Sequence, residues 1–314
     1  MPRVSVLMPT YNTHERHLYE AIQSIRKQTF TDFELLILDN ASTSIAKIRE
    51  VVQSFADPRI QFSENESNLG ISPSRNKLIR MAQGEYIAVH DSDDISVPDR
   101  LQKQVAFLDK NKDVGVVGGS ILKMYRGKII TYPADNEVIE ELLMLDCVIE
   151  HPLAMIRKSV LIDNNIFYEE EYTPSEDYAL FCRLIGKIKF ANIPDVLLHY
   201  RDHNMNTTST QSKKMREATE RLLNFVRTCH PSLWHQAQRH VISVNRYSLF
   251  GFLPLLSVRT QGKRTRYLLF DRLPLLQSKK AEVSSGITSH YVIRLQFAKF
   301  YRSLKNLATR YIRK

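Results

Sequence analysis

The stretch GEYIAVHDSDDISVPDRL, residues 84–101, decides how this chain is read. It opens on a glycine, runs through the apolar segment Tyr86–Val89, and then sets Asp91, Asp93 and Asp94 within four residues. Like charges this close repel, so the cluster needs either open solvent or a cation to balance it. The residues themselves allow two readings. One is a solvated, Asp-rich loop that caps the next helix. The other is a set of hard oxygen ligands for Mg2+ or Mn2+ at a strand end.

The same pattern of an apolar run closed by polar residues recurs upstream. RVSVLMPTY (3–11) ends in Pro9-Thr10-Tyr11-Asn12, FELLILDNAS (33–42) stops being apolar at Asp39, and RIQFSEN (59–65) is a shorter third run. Between them, Leu18, Ile22 and Ile25 recur at helical spacing over 17–28, a second helix is expected over 44–55, and a third over 70–84. Apolar strands alternating with helices predict a mostly parallel sheet covered on both faces. Ligands of such sheets bind beyond the carboxyl ends of the strands. PTYN, DNAS and DSDD all fall there, so the topology should gather them on one rim.

Downstream, residues 97–111 form an amphipathic helix with Leu101, Val105 and Leu108 on one face, and 114–125 and 128–133 read as strands. A helix follows over 136–146. Ser175 then caps a helix whose first turn carries Glu176 and Asp177, and FANIPDVLLHYRDHN (190–204) supplies a last strand. Taken singly, these residues have plain explanations. Asp39 suits an Asx turn, Arg75 a solvated helix start, Glu176 and Asp177 the positive end of a helix, and His203 a surface position.

The whole chain, 314 residues, is long enough for a full α/β core with an appendage. Its net charge of +10 hides a division: residues 210–314 carry 21 Lys and Arg against 4 Asp and Glu, or +17, while residues 1–209 carry 23 against 30, or −7. A basic region of that strength calls for an anionic partner or surface. Cys147, Cys182 and Cys229 are far apart, which excludes a disulfide framework and argues against structural zinc. The apolar stretch 249–256 is too short to span a bilayer, and the first residues too short for a signal peptide, so a cytosolic location is expected.

Taken together, VSVLMPTYN, LLILDNAS, NLGISPSRN, GEYIAVHDSDDISVPDRL, SEDYALFCRL and YRDHN resemble, in order and spacing, the family 2 glycosyltransferases. The resemblance covers about residues 3–208 and implies an inverting, nucleotide-sugar-dependent enzyme of the bacterial surface-polysaccharide or lipopolysaccharide type. It implies the GT-A fold, a Rossmann-like, mixed and mostly parallel sheet flanked by helices. Carried over residue by residue, Thr10 and Tyr11 line the nucleotide pocket, Asp39 contacts the base, normally uracil, and Arg75 lies near it. Asp94 is the direct ligand of Mn2+ or Mg2+, Asp93 contacts ribose or metal, and Asp91 supports the cluster. Asp177 is the general base, Glu176 stands beside it near the acceptor, and His203 lies close to metal and diphosphate. The chain departs from the family at Asp39-Asn40-Ala41-Ser42, where Asp-Asp-Gly-Ser is common, which loosens the assignment of base preference.

The expected organisation is a catalytic domain over 1–209 and a basic, mainly helical region over 210–314 serving membrane association, acceptor binding or oligomerisation. The reaction expected is transfer of a hexose or N-acetylhexosamine from a UDP-sugar to a hydroxyl of a saccharide acceptor, lipid-linked as with many similar bacterial transferases. The partners expected are that donor and acceptor and the inner face of the cytoplasmic membrane. The apolar-aromatic tail could equally form a homodimer. The rival classes are a metal-dependent nucleotidyltransferase and a nucleic-acid-binding protein using the basic region. PTYNTHER lacks the Gly-rich phosphate loop of the first, and an acidic rim would repel the phosphate backbone required by the second.

Overall fold

Both faces of the first apolar run are buried, as a strand sandwiched between helices requires. It forms β1, Val4–Thr10. In the computed structural model the described residues are 1–202, 212–238, 242–249, 253–261, 264–269, 273–279 and 294–295. They divide into two compact units, Met1–Leu233 and Trp234–Lys314.

The first unit opens with three strand–helix repeats. β1 leads to α1 (Glu15–Arg26), β2 (Phe33–Asp39) to α2 (Ile45–Gln53), and β3 (Ile60–Glu64) to α3 (Ile71–Met81). β4 (Tyr86–Val89), the two-residue β5 (Ile95–Ser96), α4 (Arg100–Lys110), β6 (Val114–Lys123) and β7 (Lys128–Ile130) follow. The rest of the unit is α5 (Asn136–Leu143), β8 (Met155–Arg157), α6 (Lys158–Asp163), α7 (Glu176–Leu184), β9 (Lys189–Tyr200) and α8 (Ser212–Cys229). α9 is Pro231–Ala237.

The sheet runs β3-β2-β1-β4-β8-β6-β9-β5, with β7 on β6. β3, β2, β1 and β4 are parallel, whereas β8 is antiparallel to both β4 and β6. The register sets Thr10 opposite Asp39, Asp39 opposite Glu64, and Leu7 opposite Val89, so the ends of these strands form one rim as the alternation implied. The fold is the expected mixed, mostly parallel sheet flanked by helices.

A core mainly of Val, Ile and Leu from β1, β2 and β6, with Tyr86 and Ala88 of β4, packs under α1 and α4, where Leu18, Ile22, Ile25, Leu101, Val105 and Leu108 are all buried. α8 adds Ala218, Leu222, Leu223 and Val226 as a buried stripe, at the spacing of one helix face. No helix among the described residues is long and apolar enough to cross a membrane.

The expectation of a mainly helical C-terminal region holds over α8 and α9 and gives way beyond them. From Ile242 the described residues are strands: β10 (Ile242–Leu249), β11 (Leu253–Gln261), β12 (Arg264–Leu269), β13 (Leu273–Lys279) and β14 (Arg294–Leu295), all antiparallel. The segment LPLL occurs at 253–256 and again at 273–276, and its Pro254 and Pro274 bar a helix interior.

Close approach explains one glycine in the opening stretch. A Cβ on Gly84 would lie 2.6 Å from the backbone nitrogen of Ser5 and 2.8 Å from the carbonyl carbon of Val4, so β1 can abut the end of α3 only if this residue is glycine. Gly84→Ala is expected to lower stability by about 1–3 kcal/mol, through forced backbone displacement, in urea denaturation.

Candidate active site

The rim closes around a cleft of about 660 Å3. Thr10 and Tyr11 from the end of β1, Arg75 from α3, Asp91 and Asp93 beyond β4, and Glu176 and Asp177 from α7 all line it. Seven of the sequence-predicted residues therefore meet in one place, although they span nearly 170 positions. Asp39 and Asp94 lie buried just behind the lining, and His203 lies outside the described residues.

The acid loop is held from three sides. Beneath it Arg100, at 0% exposure, donates to the Val89 carbonyl (2.7 Å), to Ser96 Oγ (2.9 Å) and to Gln104 Oε1 (3.1 Å). Burial pushes this guanidinium down to about 9, even though Asp94 and Asp91 favour its charge. From the end of β9, the Arg201 amide donates to Asp94 Oδ1 (2.8 Å), and its guanidinium donates to the Asp93 carbonyl and to Glu20 (2.7 Å each). A hydroxyl chain supplies the third tie: Thr10 Oγ1 donates to Thr13 Oγ1 (3.0 Å), which shares a 2.7 Å hydrogen bond with Ser92. Thr10 thus joins the β1 loop to the acid loop.

Arg75 links the two acidic walls. It donates to Glu176 Oε1 at 2.7 Å, with both side chains at or below 10% exposure, and lies 3.6 Å from Asp91. Its guanidinium also rests 5.4 Å from the centroid of Tyr168, whose hydroxyl shares a 2.8 Å hydrogen bond with His151 on the cleft wall. Asp177 accepts from the Tyr178 amide at 2.7 Å. Burial, followed by the neighbouring Glu176, pushes its carboxyl up to about 7. Burial likewise pushes Asp91 up to about 6 despite the pull of Arg75, and Asp94 well above the usual carboxylate range, with Asp93 adding to the effect.

Asp39 is committed to its own turn. It accepts from the Ser42 amide (2.8 Å) and the Ser42 hydroxyl (2.6 Å), fully buried, and so closes the 39–42 turn. Its neighbour Asn40 lines the cleft instead. The departure from the common family loop has a physical basis here. Asn40 Nδ2 donates to Asn68 Oδ1 (2.9 Å) and to the Gly70 carbonyl (3.2 Å), while its Oδ1 accepts from Asn65 Nδ2 (2.9 Å) and the Leu69 amide (3.0 Å). An ionised carboxylate could only accept. Ala41 takes φ +61°, the left-handed conformation that glycine adopts freely.

The residues bear on a divalent cation as follows. Buried polar atoms without a hydrogen-bond partner among the described residues gather here, Arg75 Nε, Asp94 Oδ2 and Glu176 Oε2 among them, as happens where a polar ligand binds. The oxygens of the acid loop are hard donors of the kind Mg2+ and Mn2+ take. Among the described residues no three acidic, His or Cys side chains are gathered as a metal cage. A cation held by one or two carboxylates, with substrate phosphates completing its shell, fits this arrangement.

Sequence reasoning passed over one wall. Cys147 and the run Ile149, Glu150, His151 and Pro152 line the cleft, and Met215 of α8 reaches it as well. The Glu150 carboxyl accepts from the Tyr132 hydroxyl, and burial raises it above its ordinary range. Residues 147–152 carry no strand or helix period, so only chemistry, an acid and a histidine beside apolar neighbours, could have marked them.

A family model, Glycosyl transferase family 2, matches residues 5–162. An uncharacterized glycosyltransferase of Methanocaldococcus jannaschii is 34% identical over 228 residues, which is 68% of this chain and 76% of that protein. The Escherichia coli UDP-Glc:α-D-GlcNAc-diphosphoundecaprenol β-1,3-glucosyltransferase WfgD is 25% identical over 247 residues, 78% of this chain and 95% of that one. The structure of S. aureus TarS in complex with UDP-GlcNAc superposes with a TM-score of 0.58 at 20% identity, covering 76% of this chain and 80% of that chain, a likeness of fold.

Arg75 and Glu176 form a buried pair, and removing one partner strands the other's charge. Arg75→Met is expected to cost about 3 kcal/mol of stability, and Arg75→Met with Glu176→Gln to cost less than the single change, in denaturant titrations of the three proteins.

Proposed function

The chain belongs to glycosyl transferase family 2, and from that premise we propose that it transfers a hexose or N-acetylhexosamine, with inversion, from a UDP-sugar to a hydroxyl of a lipid-linked saccharide in surface-polysaccharide or lipopolysaccharide synthesis. The observation that carries this reading is the single cleft in which Asp91 and Asp93 face Glu176 and Asp177, with Arg75 reaching both walls. UDP-sugar use is supported by the donors in the names of the similar proteins, and a diphosphate-linked lipid acceptor by the name of WfgD.

In this reading Tyr11, half exposed at the cleft, stacks on the base, and Thr10 and Asn40 shape the pocket beneath it. Asp39 acts by holding the 39–42 turn and meets the base only if the turn opens. Asp93 and Asp94, with Asp91 supporting, would hold Mn2+ or Mg2+, and the family resemblance adds His203, which lies outside the described residues. When bound, that cation neutralises charge on the departing diphosphate. Arg75 adds positive charge to the same region and fixes Glu176 beside the acceptor.

Asp177 takes the proton from the acceptor hydroxyl as its oxygen bonds to the anomeric carbon. The bond from that carbon to the phosphate oxygen breaks on the opposite face, and UDP leaves with the electron pair. A raised carboxyl suits a base working near neutrality. The basic region over 210–314 would hold the enzyme at the inner face of the cytoplasmic membrane. An acidic cleft rim gives no support to nucleic-acid binding at this site.

Calorimetric titration of UDP, against GDP and ADP, with and without Mn2+, tests the donor. UDP binding lost on chelation is expected, and absence of all nucleotide binding would overturn the enzyme reading. Asp177→Asn should keep UDP binding and lower transfer by roughly 10^2–10^4-fold. The base works deprotonated, so the wild-type rate should climb as pH rises through about 7 and level off above it, in initial-rate measurements.

A further inference from the structure

Beside the cleft stands a hairpin that the chemistry above does not use. Residues 121–131, ILKMYRGKIIT, form the end of β6, a turn, and β7, with Ile121 opposite Ile130 and Lys123 opposite Lys128. Gly127 closes the turn at φ +59°. Met124, Tyr125 and Ile129 are exposed there, Tyr125 at 89%. Such a cluster of large apolar side chains in water is uncommon on a protein surface and marks a place of contact.

The same eleven residues carry Lys123, Arg126 and Lys128 and no acid. The hairpin is pinned to the cleft rim. The Met124 amide donates to the Tyr200 carbonyl (2.9 Å), and the Lys123 ammonium lies 5.6 Å from the centroid of the Tyr200 ring, which lines the cleft. The Tyr125 amide donates to Asp202 Oδ1 (2.8 Å), and Arg126 lies 3.4 Å from the same carboxylate, which offsets part of its charge. Lys123 and Lys128 complete a basic collar around an apolar tip.

We propose that this hairpin is a membrane-seating element. Met124, Tyr125 and Ile129 enter the interface of an anionic phospholipid bilayer, and Lys123, Arg126 and Lys128 lie against its phosphates. Tyrosine favours that interface, and each cation near an anionic surface adds attraction. Three apolar side chains make a shallow, reversible contact, so the hairpin orients the protein more than it anchors it. Because the tip adjoins Tyr200, seating it turns the cleft mouth toward the bilayer, where a lipid-linked acceptor is presented. The inference rests on that acceptor reading and names the surface that serves it.

The full chain has one tryptophan, so Tyr125→Trp with Trp234→Phe places a single reporter at the tip. With phosphatidylglycerol vesicles carrying brominated acyl chains, its emission should shift to the blue and be quenched, and with phosphatidylcholine vesicles it should stay unchanged. Vesicles that pellet the protein while the emission does not move would overturn the proposal, as would no pelleting at low salt. A blue shift that grows with protein concentration without lipid would also overturn it, by assigning the tip to a second copy of the chain. In the otherwise native chain, Tyr125→Glu with Ile129→Glu should weaken vesicle partition about tenfold and leave UDP binding intact. Unchanged partition would sink the hairpin's role. UDP titration of the same proteins separates the two ideas, since loss of nucleotide binding in the wild type faults the transferase reading and leaves the vesicle result to judge the hairpin.

Discussion

Repulsion among carboxylates at the end of β4 is the constraint around which this protein is organised. Asp91, Asp93 and Asp94 could spread apart in solvent, but the fold draws them onto the edge of a covered sheet, where burial makes charge costly. The structure answers with arginines from three separate places, one of them only six residues beyond Asp94. Arg100 sits below in the core, Arg201 grips the loop from the end of β9, and Arg75 reaches across from α3. Holding the acids together therefore ties α3, α4 and β9 to β4, and the same ties shape the cleft.

That economy has a chemical corollary. Arg75 is shared between the acid loop and Glu176, so the two acidic walls of the cleft are joined through one guanidinium. A change in charge on one wall alters the field felt on the other. The raised carboxyl of Asp177 reflects this crowding, since burial and Glu176 act on it more strongly than Arg75 does.

Much of this was legible in the sequence because the first half of the chain speaks in clear periods. VSVLMPT and FELLILD are buried at every position, and helical stripes such as Leu18-Ile22-Ile25 survive intact in the core. The rim followed from topology, which brings Thr10, Asp91 and Asp93 together at the strand ends. The meeting of Arg75, Glu176 and Asp177 with them was implied only by the family resemblance. Less legible was anything decided by partners distant in sequence. Reversal of the sheet at β8 rests on three residues, too few to carry a direction. Glu150 gains its place from Tyr132 and its neighbours, and Arg201 from Glu20 and the acid loop, which no local pattern announces. Asp39 marks where β2 ends, but its side chain turns to Ser42. Beyond Ile242 a reading by charge and apolar content alone suited a helix, and the signal against it lay in Pro254 and Pro274.

The Asn40 knot carries a consequence for how such a loop can change over generations. Its amide donates to the Asn68 side chain and the Gly70 carbonyl while accepting from Asn65 and the Leu69 amide, so both ends are spoken for by backbone as well as side-chain atoms. Exchange for the aspartate common in the family would set a carboxylate against two acceptors in one step. The Asn68 amide can rotate to present its NH2 to that carboxylate, but the Gly70 carbonyl is backbone and can only accept, so one pair of facing acceptors persists. A loop with aspartate at this place would therefore need another path for residues 65–70, so the side chain at 40 and the course of that segment change together.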